Sequence, residues 1–361
     1  MKIYRHSAEN FRNISKCELT FHDEMNIIYG ENGQGKTNLI ESIWIMTGFY
    51  SFRCRKNSFL IKQGKEKAKT KTLFFSQGRE QTAEMIIGEK KELTLNGVKE
   101  ASPRAMTGRF PAVVFSPGTL SVIKNGPGER RKLVDMALSQ IKPNYAGILS
   151  NYIKVVDSRN AMLKKYGEKC FDMLYFSTLD EQLVSLGAKI IKYRLEYIEK
   201  LSKESGEIYG GISSEKEKFA FYYDFSRDSL TESGIEERLK KEIFDFREKD
   251  VKYLYTSAGP HTHDISLFLD GKDARSFASQ GQQRSCALAL KLGEANLMEK
   301  YTGEKPVIML DDVMSELDEK RQSFILNFLD GQQVFLTCCD ISQTLRGKKG
   351  KVFKIENGGL V

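Results

Sequence analysis

Alternating apolar and polar residues predict strands in the first third of the chain. Apolar residues occupy every second position in residues 17–21, and residues 25–29 form a compact apolar run that ends at Gly30. Such patterns are typical of half-buried and buried strands. After Gly30 the pattern predicts a helix that begins near Lys36. Strand-like alternation returns in residues 70–100, where the pair Asn96-Gly97 predicts a hairpin turn because both residue types tolerate positive φ.

The middle of the chain, residues 132–248, has a mainly helical pattern. Apolar residues at three- and four-residue spacing form one stripe in residues 145–163 and a second in residues 179–201. Stripes of this kind let two helices pack along one face, so a helical lobe with its own core is expected. A strand-like segment at residues 219–225 interrupts the helices.

The last third returns to alternating strands and helices. The pattern predicts strands at residues 265–269, 306–310 and 333–337, and helices at residues 282–300 and 319–329. The two ends of the chain therefore resemble two halves of one sheet-containing domain that is interrupted by a helical insertion.

The predicted fold class is α/β, with a sheet-containing head and a mainly helical inserted lobe. We predict that residues 1–115 and 258–361 form the head, lobe I, and that residues 116–257 form the insertion, lobe II. This division rests on the change from alternating strands and helices to a long helical texture.

Composition narrows the class of protein. With 361 residues, 40% of them hydrophobic and 29% charged, the chain is long enough for two ordinary globular domains. No apolar run is long enough to span a bilayer and no secretory leader is evident, so a cytoplasmic protein is expected. The net charge of +8 is a mild bias towards polyanions. Six cysteines without a C-x-x-C pair predict free, buried thiols, with neither a zinc site nor a disulfide framework.

Residues 30–37 match the phosphate-binding pattern G-x-x-x-x-G-K-[ST] in full. Glycines let such a loop turn its backbone N–H groups towards phosphate oxygens, and the helix that follows adds its positive dipole end. Lys36 is expected to reach the β- and γ-phosphates of ATP, and the Thr37 hydroxyl to bind Mg²⁺. The residues predicted to bind the nucleotide here are Gly30, Glu31, Asn32, Gly33, Gln34, Gly35, Lys36, Thr37 and Asn38.

Two acids at the end of the apolar run 306–310 complete the predicted catalytic set. Asp311 is expected to hold Mg²⁺ directly or through water, and Asp312 to polarise the attacking water, with Lys36 as the second catalytic residue. Alone, the two acids could equally be a strand that leads into a helix cap. Beside a phosphate loop, they favour a metal-dependent ATPase.

A second phosphate-binding loop is predicted from residues 278–282, which resemble the signature loop of ABC-type ATPases. Residues 315–318 resemble the loop that follows the acidic pair in the same class. In that class two subunits pair head to tail, and the signature loop of each subunit completes the site of the other. The alternative is an ordinary polar helix cap. The additional residues predicted to bind the nucleotide are Ser279, Gln280, Gly281 and Gln282.

With these motifs, the chain resembles the RecF family of bacterial recombinational-repair ATPases, which is related to SMC proteins. The resemblance implies an ATP-dependent homodimer on single-stranded, gapped or duplex DNA, without sequence preference. It also implies slow, DNA-stimulated hydrolysis, the partners RecR and RecO, help in loading RecA, and roles in replication-fork maintenance and the SOS response. The segments that carry the resemblance are residues 10–13, 29–43, 113–135, 158–164, 259–261, 277–284 and 310–318.

The chain also departs from the ABC and RecF patterns. Asp312 stands where ABC ATPases usually carry the longer glutamate, and no histidine occurs near Thr337, where their switch histidine would fall. Both departures predict slow hydrolysis. In the run Gly259–Asp264, Thr262 and His263 replace the Arg and Asp of the RecF pattern. We expect this run to form a nucleotide- or interface-proximal loop, with metal binding as the alternative.

DNA contacts are predicted only diffusely. Two basic clusters, Arg53-Arg55-Lys56 and Arg130-Arg131-Lys132, could meet phosphates, although each could equally be a solvated rim. Two other functions remain open: a constitutive DNA-binding structural protein with nucleotide as a static ligand, and the ATP-binding subunit of a transporter. The long helical insertion and the acidic pair argue against the transporter.

Overall fold

A computed structural model describes residues 1–166, 173–213, 216–225, 231–341 and 349–361. Cys170, one of the thiols considered above, lies outside the described residues. Within the described ranges, no helix combines the length and apolar character needed to cross a bilayer.

Strands dominate both ends of the chain, and helices dominate its middle. The strands are β1 (Lys2–Phe11), β2 (Ile14–Thr20), β3 (Met25–Tyr29), β4 (Ala68–Ser76), β5 (Arg79–Ile87), β6 (Lys91–Leu95), β7 (Val98–Glu100), β8 (Ala112–Phe115), β9 (Phe219–Tyr223), β10 (Ile265–Leu269), β11 (Lys272–Asp273), β12 (Val307–Asp311), β13 (Val334–Cys338), β14 (Gly350–Glu356) and β15 (Gly359–Leu360). The helices are α1 (Lys36–Trp44), α2 (Ser121–Lys124), α3 (Pro127–Ile141), α4 (Tyr145–Tyr166), α5 (Met173–Ser213), α6 (Glu232–Asp245), α7 (Arg247–Tyr253), α8 (Ala274–Phe277), α9 (Gln280–Thr302) and α10 (Glu319–Phe328).

The described chain divides into two compact units. The first contains Met1–Leu120, Ile208–Lys216 and Ala287–Val361, and the second contains Ser121–Glu207 and Glu217–Cys286. This division differs from the predicted boundaries. Residues 116–120 and 208–216, assigned above to the insertion, cluster with the first unit, whereas residues 258–286, assigned to the head, cluster with the second. The pairing of β10 with β9 accounts for much of this difference, since it ties the segment to the strand inside the helical region.

A mainly parallel sheet in the first unit carries the nucleotide-loop region. Its order is β15-β14-β3-β13-β12-β8. Each pair of neighbouring strands is parallel except the edge pair β14-β15, which is antiparallel. All five residues of β12 and of β13 are buried, as expected of strands covered on both faces. Because β3 pairs with both β13 and β14, the two ends of the chain form one sheet.

A second sheet in the first unit is antiparallel, in the order β2-β1-β4-β5-β6-β7. The predicted hairpin at Asn96-Gly97 is confirmed: both residues have positive φ, 51° and 83°, between β6 and β7. One face of this sheet is buried against the core. That face includes His6 of β1, whose side chain is fully buried.

The second unit is mainly helical, as the three- and four-residue spacing predicts. Met162 and Leu163 of α4 pack against Phe176 and Leu179 of α5 in one buried cluster. Arg159 lies at 0% exposure in the same unit. Its guanidinium bonds to carboxylate oxygens of Asp180 at 2.8 Å and Asp250 at 2.6 Å, so α4, α5 and α7 are joined by buried charge.

The three-stranded sheet β11-β10-β9 belongs to this second unit. β9 confirms the strand predicted in residues 219–225, and β10 matches its predicted bounds. The turn after β10 is formed by Asp270 and Gly271, both with positive φ.

Candidate functional site

The phosphate loop lies between β3 and α1, as the sequence predicts. Gly30 has φ 151° and approaches β14 so closely that a Cβ atom there would lie 2.4 Å from the Ile355 carbonyl oxygen. Gly35, with φ 114°, would place a Cβ atom 2.8 Å from Oδ1 of Asn13. Both glycines are therefore required by backbone conformation and by close approach. Asn32 and Gly33, at the tip, are exposed.

Lys36, the predicted phosphate ligand, is 4% exposed and points back into its own loop. Its ammonium donates to the carbonyl oxygens of Gly30 at 2.6 Å and Glu31 at 3.0 Å. These bonds hold the loop backbone curved around the Lys36 ammonium. The loop backbone and the lysine ammonium thus hold each other in position.

The two motifs meet at Asp311. The Thr37 hydroxyl donates to Oδ1 of Asp311 at 2.7 Å, and the Thr337 hydroxyl of β13 donates to the same oxygen at 3.0 Å. Burial raises the pKa of Asp311, and these two hydrogen bonds oppose the rise. The structure thus brings together the hydroxyl and the carboxylate predicted to hold Mg²⁺.

Asp312, the predicted catalytic carboxylate, occupies a sharp turn after β12. Its φ is 53°, a left-handed conformation that is uncommon outside glycine. Its N–H donates to the Thr337 hydroxyl at 2.9 Å, and its carbonyl oxygen accepts from the Ser315 hydroxyl at 3.0 Å. Thr337 lies near the position where ABC ATPases carry their switch histidine. Its hydroxyl forms hydrogen bonds with both Asp311 and Asp312 and so joins the two acids to β13.

Two predicted loop residues have structural contacts. Oε1 of Gln34 accepts from the N–H of Asn357 at 2.6 Å, and its carbonyl oxygen accepts from Gly358 at 2.8 Å. Asn38 donates to Oδ1 of Asn13 at 2.8 Å and accepts from Arg53 at 2.7 Å. The side chains of Gln34 and Asn38 therefore fix the loop and α1 in place.

A buried ion pair under α1 was not predicted from the sequence. Glu41 is fully buried, and its two carboxylate oxygens accept from Arg12 at 2.7 and 2.8 Å. Ser51 donates a further short hydrogen bond to Glu41, and Arg53 lies 3.4 Å away. Arg12 and Glu41 lie in the segments 10–13 and 29–43, which contribute to the family resemblance, but the resemblance assigns no role to either residue.

The signature loop, in the second unit, caps α9. The N–H of Ser279 donates to Oε1 of Gln282 at 2.7 Å, and the N–H of Gln282 lies 3.3 Å from the Ser279 hydroxyl. This reciprocal pair is a capping box. The Gln282 amide also donates to Glu217 at 2.6 Å. The observed hydrogen bonds are those of the alternative prediction, a polar helix cap. Ser279 and Gln280 are nevertheless exposed at a helix N-terminus, which is a favourable position for binding an anion.

The basic cluster at residues 130–132 is not a free phosphate-binding rim. Arg130 is 6% exposed and forms two bonds to the carboxylate of Asp264, at 2.7 and 2.8 Å. Arg131 donates to the carbonyl oxygens of Thr262 and His263. Both arginines therefore hold the loop after Gly259, whereas Arg53, Arg55 and Lys56 of the other cluster are exposed.

The histidines of that loop are used in hydrogen bonds within the second unit. His261 contacts the Tyr152 hydroxyl at 2.7 Å and the Thr256 carbonyl oxygen at 3.0 Å. His263 contacts the Tyr223 hydroxyl at 3.0 Å and Glu242 at 3.1 Å. In the part of the chain that the structure describes, no group of three or more His, Cys, Asp or Glu side chains could hold a metal ion.

The donor set around the loop fits a magnesium–triphosphate ligand. A hydroxyl oxygen and a carboxylate oxygen 2.7 Å apart are the hard ligands that Mg²⁺ takes from proteins, with phosphates and water supplying the rest. The open tip at Gly33, where an added Cβ would meet nothing within 4 Å, leaves room for phosphate beside the backbone. Thr37 and Asp311 would hold the metal, and Lys36 would meet the phosphates.

Comparison with known proteins gives a consistent family. The model of the RecF/RecN/SMC N-terminal domain matches residues 2–355. A protein of Clostridium acetobutylicum named DNA replication and repair protein RecF is 38% identical over 98% of this chain and 97% of its own length. A protein of the same name from Caldanaerobacter subterraneus subsp. tengcongensis is 39% identical, over 91% of this chain and 92% of its own length.

Solved structures agree. A structure of the recombination mediator protein RecF with ATP, described as part of the RecFOR pathway, matches with a TM-score of 0.93 and 38% identity, covering 100% of this chain and 97% of that one. An Smc head domain from Pyrococcus furiosus matches at 15% identity with a TM-score of 0.59, covering 99% of this chain and 95% of that one, which shows a shared fold. The predicted α/β, ABC/SMC-type head with a helical lobe is thus confirmed, and the chain belongs to the RecF family of DNA replication and repair proteins.

Proposed function

We propose that this protein is an ATP-dependent DNA-binding switch of recombinational repair and replication-fork maintenance. ATP with Mg²⁺ joins two copies head to tail on DNA, and slow hydrolysis releases them. The observation that carries the proposal is the 2.7 Å contact between the Thr37 hydroxyl and Asp311, because it joins the phosphate loop to the acidic pair across 274 positions of sequence.

The residues have separate roles in this proposal. Bound Mg²⁺ would neutralise developing charge on the phosphates. Thr37 and Asp311 hold that metal, Lys36 exchanges its loop carbonyl partners for phosphate oxygens, and Asp312 orients and polarises a water molecule. Asp312 sits one methylene short of the usual glutamate, on a turn with fixed φ, which supports slow turnover.

The signature loop supplies the dimer contact. Ser279 and Gln280 are exposed at the N-terminus of the 23-residue helix α9, so backbone N–H groups and a hydroxyl are available to an anion. In the proposed dimer this anion is the γ-phosphate held by the second copy. The capping box keeps the loop rigid, which lowers the ordering cost of that contact.

ATP-dependent dimerisation tests the proposal. Light scattering should show dimers with ATP and Mg²⁺ and monomers with ADP. Lys36→Ala should abolish the dimer, and Asp312→Asn should prolong it by slowing hydrolysis. Lys16→Ala changes an exposed lysine of β2 and serves as the matched control, with unchanged dimerisation expected. If ATP leaves the dimer content of the wild-type protein unchanged, the switch fails.

DNA affinity across nucleotide states separates the switch from the static-ligand alternative. The switch predicts tighter binding with ATP than with ADP on gapped, duplex or single-stranded DNA, and a steep decrease with salt because contacts are to phosphates. Equal affinities with ADP, ATP and a non-hydrolysable analogue would instead favour a constitutive DNA-binding protein. Family membership leaves the transporter alternative without support.

A named relative supports the proposed pathway. A similar solved structure is described as a recombination mediator of the RecFOR pathway. We therefore propose RecO and RecR as partners, RecA loading at single-strand gaps and single-strand–duplex junctions as the outcome, and a contribution to the SOS response. Co-sedimentation with purified RecR in the presence of ATP and DNA tests the first contact, and its absence with ATP would remove this part of the proposal.

A further inference from the structure

Most of the net positive charge of the chain arises in one segment. Residues 53–71 contain eight Lys and Arg residues and one Glu, a net +7 against +8 for the whole protein. Arg55, Lys56 and Lys65 of this segment are exposed and, among the described residues, none of them forms an ion pair. A concentrated, unneutralised positive surface is the electrostatic requirement for binding a phosphate backbone.

Two large aromatic rings accompany this charge. Tyr50 is 62% exposed and Phe59 is 57% exposed. Burying a ring of this size stabilises a fold by about 2 kcal/mol, so folding gives no reason to expose either. We define the aromatic–basic surface as Tyr50 and Phe59 with Arg55, Lys56 and Lys65.

The backbone that carries both rings is anchored to the core. The Tyr50 carbonyl oxygen accepts from the indole of buried Trp44 at 2.9 Å. Phe59 lies in a 3-10 turn, Asn57–Leu60, in which Leu60 is 1% exposed and its carbonyl oxygen accepts from Arg12 at 2.9 Å. Because the backbone at Tyr50 and Phe59 is anchored and both rings are exposed, the two rings form a rigid surface on which another planar group could stack.

The turn between β5 and β6 brings the two rings to one region of the first unit. Lys91, at its end, donates to the Phe49 carbonyl oxygen at 3.0 Å and lies 5.5 Å from the centre of the Tyr50 ring. At the other end of the same turn, the Glu89 carbonyl oxygen accepts from Asn57 at 3.2 Å. Tyr50 and the turn that carries Phe59 therefore flank a single loop, residues 88–91.

We propose that Tyr50 and Phe59 stack on unpaired bases of single-stranded DNA while the neighbouring lysines and arginine meet its phosphates. Rigid aromatic rings in a basic setting are how proteins bind single strands without reading their sequence, since every base has a stacking face. A duplex keeps its bases stacked on one another and offers only phosphates. This inference rests on the proposed DNA-binding function and names which part of a gapped substrate the surface takes.

The test compares oligo(dT) with an abasic oligomer of the same length by fluorescence anisotropy, with ATP and Mg²⁺ present. The two ligands carry equal phosphate charge and differ only in bases. Wild-type protein should prefer oligo(dT), and Tyr50→Leu with Phe59→Leu should lower its affinity by about 5- to 100-fold while leaving abasic and duplex binding unchanged. Tyr50→Trp should retain the preference.

Tyr253→Leu is the matched control, since it removes a 55%-exposed ring from the other unit. Circular dichroism checks that all the variants are folded, because Tyr50→Trp adds a second tryptophan and Tyr253 lies in the unit without Trp44. If the preference for oligo(dT) persists in the double variant, or if abasic and duplex binding fall equally, stacking by these rings is refuted although DNA binding stands. If wild-type protein binds no DNA in any nucleotide state, the proposed function itself fails and this inference fails with it.

Discussion

Acid should weaken the first unit through His6. Its ring lies between α1 and the antiparallel sheet, with Nε2 2.8 Å from the Ser42 hydroxyl and Nδ1 2.7 Å from the Thr72 hydroxyl. Ser42 uses its own hydrogen to reach the Leu39 carbonyl oxygen at 2.6 Å. Nε2 must therefore donate to the Ser42 oxygen. Burial disfavours the charged ring, so in the neutral ring Nδ1 accepts from the Thr72 hydroxyl.

The magnitude follows from the pKa values of the two states. Burial lowers the pKa of His6 to about 3 in the folded protein, whereas an exposed histidine has a pKa of about 6.5. The unfolded chain thus binds the proton first, and the contribution to stability is complete above pH ~6.5 and decreases as pH falls towards ~3. At pH ~5.0, ~1.5 units below the unfolded value, the loss is about 2 kcal/mol.

Urea denaturation, followed through the emission of the single tryptophan Trp44, measures this loss in the unit that contains His6. The free energy of unfolding should fall more between pH ~7.5 and ~5.0 in wild type than in His6→Gln, by about 2 kcal/mol. Glutamine keeps a neutral hydrogen-bonding side chain, so other titrating groups cancel in the comparison. Equal losses in the two proteins would refute the reasoning.

Three further changes test contacts around the site and in the second unit. Thr337→Val removes the acceptor of the Asp312 N–H and a buried hydrogen bond to Asp311, and it should cost about 2 kcal/mol in urea denaturation. Thr337→Ser keeps the hydroxyl, so equal losses in both variants would contradict this role. Gly30→Ala drives a Cβ into the β14 backbone and should cost more than about 2 kcal/mol, against about 1 kcal/mol for Gly33→Ala at the open tip; similar Trp44 unfolding curves would refute the close approach. Arg130→Met should destabilise the second unit by about 3 kcal/mol because Asp264 loses its partner. Circular dichroism should show partial recovery when Asp264→Asn is added, and no recovery would exclude the ion pair as the cause.

The elements that could be predicted from sequence are those whose own residues determine them. The strand at residues 25–29 and the helix start at Lys36 agree with β3 and α1, because a short apolar run and a glycine-rich turn are local features. The strand predicted at residues 306–310 is observed at Val307–Asp311, and the one predicted at 333–337 at Val334–Cys338. Buried strands with both faces covered need continuous apolar sequence, which is easily recognised.

Other strands depend on partners elsewhere in the chain. β14 has the sequence of an exposed edge, with three exposed residues at its start, yet it pairs with β3 across more than 300 positions. β8 is a run of four residues, too short to separate from a turn of helix by pattern alone. Neither could be predicted, because the hydrogen bonds that define them come from distant segments.

The same distinction applies within the site. Lys36, Thr37, Asp311 and Asp312 are predicted as site residues from residue type and spacing, which determine what chemistry a side chain can perform. What the sequence could not give is how each is held, since Thr337 reaches Asp311 across 26 positions. The folded protein therefore already orients the Asp311 carboxylate, because hydroxyl groups from α1 and β13 donate hydrogen bonds to it.

Lys36 stabilises its own loop in addition to its proposed contact with phosphate. Its two acceptors are carbonyl oxygens of its own loop, so the ammonium stabilises the loop as well as being able to meet a phosphate. Phosphate oxygens would offer the ammonium a more strongly charged set of acceptors than these carbonyl oxygens. Loss of the lysine thus removes both a phosphate contact and an internal support, so Lys36→Ala should weaken ATP binding and should also lower the free energy of unfolding measured in urea without nucleotide.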